Sequence, residues 1–402
     1  MATPTADVYT APTGTAVVRC GMAAPPLAPP VFSSVVQLTS GTNAPFADLG
    51  QTLILNLHGS GNTLVALAES RVMNGILNPA SAWGAYQTDT VFLWKELNAG
   101  IQAGNRGVNV WPNDKQPNNG ANGRESDWCG WTDGPDAGKL RLYTERRLDA
   151  LLDHLLTGPK FSATKRVLTG QSMGGWGTMS YGIRRAHIFP AIYANMPRWR
   201  YSQVAGQVSV HSWTVPITPT YPVGSAPLLV PEDGGYSVAE HYDHIARVSN
   251  TANAVPWIGW VIGKNDGYMP WQDHVDAIAA LRAAGRGFAV NWNLGNHGGQ
   301  PSIETIFASY PRGLFELGKG YPLFTEHSLD ADPATADVGG INVGLSFRNV
   351  TETAGTWSCQ VTHLTSACTV KVKPKGSVVY LGNPAAQLVM IPSANTWVTV
   401  SF

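Results

Sequence analysis

Residues 170 to 175 read Gly170-Gln171-Ser172-Met173-Gly174-Gly175. A serine with glycine two places to either side is the pattern of a nucleophile carried on a turn so tight that only small residues fit beside it. Its chemistry would be acyl transfer, in which the hydroxyl attacks a carbonyl carbon while a neighbouring base takes its proton. Such a pentapeptide also arises by chance in a glycine-rich chain, where it is a turn with an idle serine. Its setting argues for the chemistry. The apolar run Arg166-Val167-Leu168-Thr169 precedes it and a helical segment, WGTMSYGIRRAH, follows it, which is the strand–turn–helix context that the motif requires.

The nucleophile needs a base and an acid, expected downstream in the order serine, acid, histidine. Of the ten histidines, His297 fits the base. It lies in NWNLGNHGG, in a loop after a predicted strand, with Gly295, Gly298 and Gly299 around it. The alternative is a loop histidine that only caps a turn. Asp266 fits the acid because it closes the apolar segment WIGWVIGKND; its carboxylate would fix the imidazole tautomer and stabilise the imidazolium. Asp273 and Asp276 are its rivals, but they sit in or near the next helix, where aspartate commonly serves the first turn. The oxyanion needs two backbone donors. Met173 supplies one as the residue after the nucleophile, and Ser60 in the segment HGSG supplies the other, with Gly61 next in line. His58 reads as a brace for that loop.

These residues require a scaffold of parallel strands. QTLILNLHGSGN and GVNVWPND are short apolar runs closed by turn formers, as are FPAIYANMP, VPWIGWVIGKND and GFAVNWNLGNH. Between them, LRLYTERRLDALLDHLLTG places Leu142, Leu148, Leu151, Leu152 and Leu155 at helical spacing and stops at Gly158-Pro159, and HVDAIAALRAAG is a further helix with a glycine stop. The stretch from Trp83 to Leu97 reads as weakly helical. Alternation of strand and helix predicts an α/β fold: a mostly parallel sheet with helices on both faces. Residues 1–35 form an extended lead-in, since GMAAPPLAPP cannot be helix. Residues 112–138 form a long polar insertion of the kind that makes lids and rims. Beyond a boundary placed between 319 and 337, only alternating strand-like runs remain: INVGLSF, TWSCQVTHL, CTVKVKPKG, SVVYLG, QLVMIPS and TWVTVSF. The expected division is a catalytic domain over 1–320 and a small antiparallel β-sandwich over 321–402.

Composition narrows the function classes. The 402 residues carry 27 Lys+Arg against 27 Asp+Glu, so no basic excess is available for a nucleic-acid backbone or an anionic lipid surface. No apolar run is long enough to span a bilayer. The N-terminus has no charged stretch leading into an apolar segment; the reading is an extracellular protein whose leader is absent from this chain, with a cytoplasmic or virion-associated location as alternatives. Four cysteines, Cys20, Cys129, Cys359 and Cys368, lack metal-ligand spacing. They form either two disulfides, Cys359–Cys368 and Cys20–Cys129, or four buried thiols. The histidine cluster at His241 to His244 has no evident third ligand, so neither metal nor other cofactor is expected.

Four segments together, LILNLHGSG, SATKRVLTGQSMGGWGTMSYG, VIGKNDGYMPW and LGNHGG, resemble the α/β-hydrolase esterases that include polyhydroxyalkanoate depolymerases, feruloyl esterases and acetylxylan esterases. The resemblance spans roughly residues 45–300, and ESDWCGW is similar, more loosely, to a Cys-Trp segment of the depolymerase branch. It implies ester hydrolysis through an acyl-enzyme by Ser172, Asp266 and His297, with Ser60 and Met173 at the oxyanion. The polar insertion and the all-β tail match no one branch.

The aromatic residues Trp111, Trp128, Trp131, Trp176, Tyr268 and Trp271 fall near the predicted catalytic loops. Trp128, Trp131, Trp176 and Tyr268 are candidate substrate contacts; Trp128 and Trp131 read as a pocket rim, and Trp176 suits core and pocket equally. In the tail, Trp357, Tyr380 and Trp397 could bind polymer but read more simply as core. The substrate expected is a small or polymeric neutral ester. A serine peptidase of the same fold and a catalytically silent binding or virion-type protein are the rival readings. Oligomeric state is left open.

Overall fold

The computed structural model describes residues 15–20, 51–59, 90–96, 107–112, 128, 139–140, 142–156, 161–200, 230–231, 238–375 and 384–402. In chain order the elements are β1 (Thr15–Cys20), β2 (Gln51–Leu57), β3 (Thr90–Glu96), β4 (Gly107–Trp111), β5 (Lys139–Leu140), α1 (Tyr143–Leu156), β6 (Phe161–Gln171), α2 (Met173–Gly182), β7 (Ala191–Asn195) and β8 (Val230–Pro231). They continue with α3 (Val238–His241), α4 (His244–Ser249), β9 (Trp257–Gly263), α5 (Trp271–Ala283), β10 (Phe288–Asn293), α6 (Ile303–Ile306), β11 (Tyr321–Thr325), β12 (Gly339–Ile341), β13 (Leu345–Thr353), β14 (Thr356–His363), β15 (Cys368–Lys375), β16 (Gln387–Ile391) and β17 (Val398–Ser401).

Nine strands form one sheet in the order β1-β3-β4-β2-β6-β7-β9-β10-β12. The run from β4 to β10 is parallel, whereas β1–β3, β3–β4 and β10–β12 are antiparallel pairs. All seven residues of β9 are buried, as a central parallel strand covered on both faces requires. One face carries Leu53, Leu55, Leu168, Ile192, Trp260 and Val290, packed with Leu148, Leu151 and Leu152 of α1, Met179 of α2 and Ile278 of α5. The leucines whose spacing predicted α1 are all buried. Helix α5 stops at Gly285, which takes φ +60°. This is the α/β-hydrolase architecture, followed by antiparallel β-sheets.

The opposite face of the sheet is covered differently. Val167, Ala191, Tyr193, Trp257, Val261 and Ala289 share a single apolar cluster with Ile303 of α6 and with Phe347, Trp357, Val361, Val370 and Ile391 of the tail. The tail strands form two three-stranded antiparallel sheets, β11-β15-β16 and β13-β14-β17. The tail also contributes to the large sheet, because β12 pairs with β10 from Ile341–Val290 to Gly339–Trp292. The run INVGLSF is therefore two strands rather than one: Asn342 and Gly344, both at positive φ, break it.

Two further differences from expectation are local. Within the weakly helical stretch, residues 90–96 are a strand, paired with β1 and β4. Thr90, Val91, Phe92 and Trp94 are β-branched or aromatic, and ladder partners on both sides override a marginal helical pattern. Cys359 and Cys368 are free buried thiols on strands of different sheets. The side chain of Cys20 and all of Cys129, SVVYLG with Tyr380, and the lead-in other than β1 lie outside the described residues.

Candidate active site

Ser172 stands between β6 and α2 with φ 57° and ψ −116°, a conformation that L-residues rarely hold. Its backbone overdetermines the turn: Ser172 N–H donates to Asn195 O at 2.8 Å, and its carbonyl accepts Trp176 N–H at 2.9 Å. The flanking glycines have a steric reason. A β-carbon on Gly170 would collide with the Gly174 carbonyl, and one on Gly174 would collide with the carbonyls of Leu57 and His58 at the end of β2. A larger residue at Gly170 would push β6 from α2, and one at Gly174 would push α2 from the end of β2.

Ser172 Oγ lies 2.7 Å from His297 Nε2. His297 Nδ1 lies 2.7 Å from Asp266 Oδ2. The carboxylate is buried and its other oxygen accepts the N–H groups of Tyr268 at 2.9 Å and Met269 at 3.2 Å. With Asp266 accepting from Nδ1–H, the lone pair of Nε2 faces the serine hydroxyl, the arrangement a general base needs. The imidazole side chain is 24% exposed, so one side of the chain of bonds is open to an incoming molecule. The loops that hold Asp266 and His297 are laced together: Lys264 N–H donates to Asn293 O, Asn265 N–H to Gly295 O, and the Asn265 side chain to Leu294 O.

The rival carboxylates are otherwise engaged. Asp273 and Asp276 both bind Arg200, at 2.7 and 2.5 Å. Met173 is the first residue of α2, where a helix leaves its N–H groups without intrahelical partners and presents positive potential. Ser60 and Gly61, expected to supply the second donor, lie outside the described residues, as does Trp131. His58 is buried, with Nδ1 2.9 Å from Gly59 O.

Trp128 differs from its expected place, and Trp176 takes the first of its two. Trp128, read as an exposed rim, is fully buried: its Nε1–H donates to His58 O at 3.0 Å and its ring meets the His58 ring edge-on at 4.8 Å. Polar neighbours in the sequence suggested exposure, but an indole this large gains more from burial once its N–H has a partner. Trp176 is buried on α2, with its ring 5.5 Å from Tyr242, which follows α3, and 5.2 Å from His244 of α4, so it belongs to the core. Tyr268, in contrast, is 59% exposed and stands edge-on to His297 with ring centres 5.0 Å apart. Trp271 packs against Trp292. In the tail, Trp357 is buried and Trp397 lies under the guanidinium of Arg348 at 3.9 Å; the side chain of Trp111 is outside the described set.

Sequence reasoning missed the residues that steady the loops. Met196, at φ 52°, accepts Gly298 N–H on its sulfur at 3.0 Å, and Arg198 donates to Tyr268 O at 2.8 Å. Both follow β7, a strand that carries none of Ser172, Asp266 and His297, and no local motif marks them. The histidine cluster is structural in its surroundings: His244 Nε2 is 3.2 Å from Ser180 Oγ, and His241 Nε2 is 4.0 Å from Glu145. Among the described residues, no group of three or more His, Cys, Asp or Glu is placed to hold a metal ion, and no helix is long and apolar enough to cross a membrane.

No family model and no curated protein matches the chain. Similar solved structures exist. One is the fluorophosphonate-binding serine hydrolase F of Staphylococcus aureus, 15% identical, aligned over 64% of this chain and 82% of that one with a TM-score of 0.37. A ferulic acid esterase is 17% identical over 62% of this chain and 79% of its own, with a TM-score of 0.36. Est1E of Butyrivibrio proteoclasticus is 13% identical over 62% and 81%, with a TM-score of 0.32.

Proposed function

We propose that the chain is a serine hydrolase that cleaves carboxylic esters through an acyl-enzyme. The observation that carries this reading is the continuous path Ser172 Oγ–His297 Nε2–His297 Nδ1–Asp266 Oδ2, with 2.7 Å at both junctions, mounted on a strained strand-to-helix turn. In the first half-reaction Ser172 Oγ bonds to the ester carbonyl carbon as its proton passes to His297 Nε2. The C–O bond to the alcohol then breaks, and the same proton leaves with the alkoxide. In the second half-reaction water repeats the attack, His297 again carries the proton, and the acid is released with Ser172 restored. Asp266 stabilises the imidazolium without taking its proton. The N–H of Met173 is one donor to the tetrahedral oxyanion.

The substrate we propose is a neutral ester, with an aromatic or polymeric acyl or alcohol part resting against Tyr268. An exposed tyrosine beside the base offers a flat apolar face with a polar tip.

The test is hydrolysis of para-nitrophenyl acetate and butyrate by the wild type and by Ser172→Ala. Turnover in the wild type that is lost in the variant supports the reading and opens a panel of feruloyl, acetyl-sugar and polyester substrates. Turnover that survives in the variant, or a folded wild type inert toward the whole panel, overturns it.

A further inference from the structure

We propose that Met196 is a positioning residue that sets the separation between Ser172 and His297, an inference that rests on the hydrolase reading above. The peptide unit joining Asn195 to Met196 stands at the exit of β7, which lies in the sheet between β6, leading to Ser172, and β9, leading to Asp266. Its carbonyl accepts Ser172 N–H at 2.8 Å, and its N–H donates to Val261 O of β9 at 2.8 Å. A trans peptide is planar and these two groups point in opposite directions, so one rigid plate spans the gap. The side chain brings in the third partner. The Met196 sulfur accepts the N–H of Gly298, the residue after His297, at 3.0 Å and across 102 positions of the chain.

The backbone argues that this side chain does more than fill space. Met196 stands at φ 52°, where glycine sits at no steric cost and a residue with a β-carbon is held against strain. It is buried in the apolar cluster that includes Ile262 and Met269. Leucine or isoleucine would pack there as well, but of the three only methionine carries an acceptor. Gly298 N–H also reaches Gln300 Oε1 at 3.2 Å, and the Gln300 side chain donates to Asn296 O at 2.6 Å. Gln300 therefore braces the His297 loop upon itself, whereas Met196 ties that loop to the plate that holds Ser172. Proton transfer from Ser172 Oγ to His297 Nε2 needs hydrogen-bond reach. Without the sulfur the His297 loop can drift from the Ser172 turn, and a displacement of a fraction of an ångström between reacting atoms lowers the rate while leaving substrate binding in place.

Met196→Leu conserves volume and removes the acceptor. With active sites counted by the nitrophenolate that diethyl para-nitrophenyl phosphate releases on phosphorylating the serine, kcat per site on para-nitrophenyl butyrate is expected to fall about tenfold. Acylation and deacylation both draw on His297, so they slow together and KM should stay within about twofold. Tm should move by only a few degrees, as in other volume-conserving exchanges. Gln300→Leu should cost less, because the tie across to Met196 remains. The double variant leaves Gly298 N–H with neither acceptor, so its loss should exceed the product of the two single losses. A kcat per site within about twofold of wild type in Met196→Leu, a loss accounted for by KM or by fewer titratable sites, or losses that simply multiply would overturn the inference while leaving the esterase reading intact. An inert wild type would overturn both.

Discussion

The carboxylate of Asp266 is divided between two tasks: Oδ2 meets His297 Nδ1 at 2.7 Å, and Oδ1 accepts the N–H groups of Tyr268 and Met269. Its acceptor role is therefore fully used, and an amide cannot reproduce it. In Asp266→Asn, an amide N–H facing Nδ1 would favour the wrong imidazole tautomer. The expected result is a fall in kcat of about 10⁴-fold, the scale of this change in a serine–histidine–aspartate triad, with an unchanged far-ultraviolet circular dichroism spectrum.

The glycines around Ser172 predict a stability effect. In Gly174→Ala the new methyl group would meet the carbonyls of Leu57 and His58, which belong to the backbone of a buried strand and cannot step aside cheaply. The cost should be about 3 kcal/mol or more, read as a lower urea midpoint with an unchanged slope. A variant as stable as the wild type would show that α2 can shift without penalty.

Glu145 supplies a pH prediction. Burial would raise its carboxyl, but the guanidinium of Arg184, the nearby His241 imidazole and Arg185 outweigh this and hold its pKa at about 2, against 4.5 in an unfolded chain. A depressed carboxylate contributes stability that is complete above the unfolded value and is lost as pH falls from about 4.5 towards 2. Glu145→Gln should be about 3 kcal/mol less stable than the wild type at pH 7, a difference that shrinks as both are acidified through that window. Urea unfolding of the two proteins at a series of pH values measures it, and a gap independent of pH would refute it.

The parts of this molecule legible in the sequence are those set by local rules. The hydrogen-bonded path from Ser172 through His297 to Asp266 is legible because each of the three follows an apolar strand and sits among turn formers, so the pattern of one segment is enough to place each side chain. Trp128 was misread for the opposite reason: its neighbours are polar, and its burial depends on His58, seventy residues away. Met196 and Arg198 escaped notice because their work is done on the loops of β9 and β10, at separations of 102 and 70 residues. Strand β3 was obscured because its pairing with β1 and β4 is a property of the sheet, not of the segment.

The cysteines give a chemical check on the tail. Cys359 and Cys368 are unpaired and buried, and burial raises both thiols, that of Cys359 to about 12. In native protein neither should react with iodoacetamide at pH 8, and after denaturation without reductant both should be alkylated, as mass spectrometry of the tail peptides would record. A disulfide-linked peptide pair containing both would contradict the structure.

Strand β12 lies along β10, the strand whose exit leads to His297. A chain cut at residue 320 would lose more than an appendage. It would strip β10 of its outer neighbour and leave a row of unpaired amide and carbonyl groups on an apolar strand, an invitation to pair with the same edge of another molecule. The tail thus acts as a seal on the sheet. Exchange of this tail between chains of this fold would have to carry a compatible sealing strand with it, and shortened forms of this protein should be recovered as aggregates rather than as a smaller folded protein.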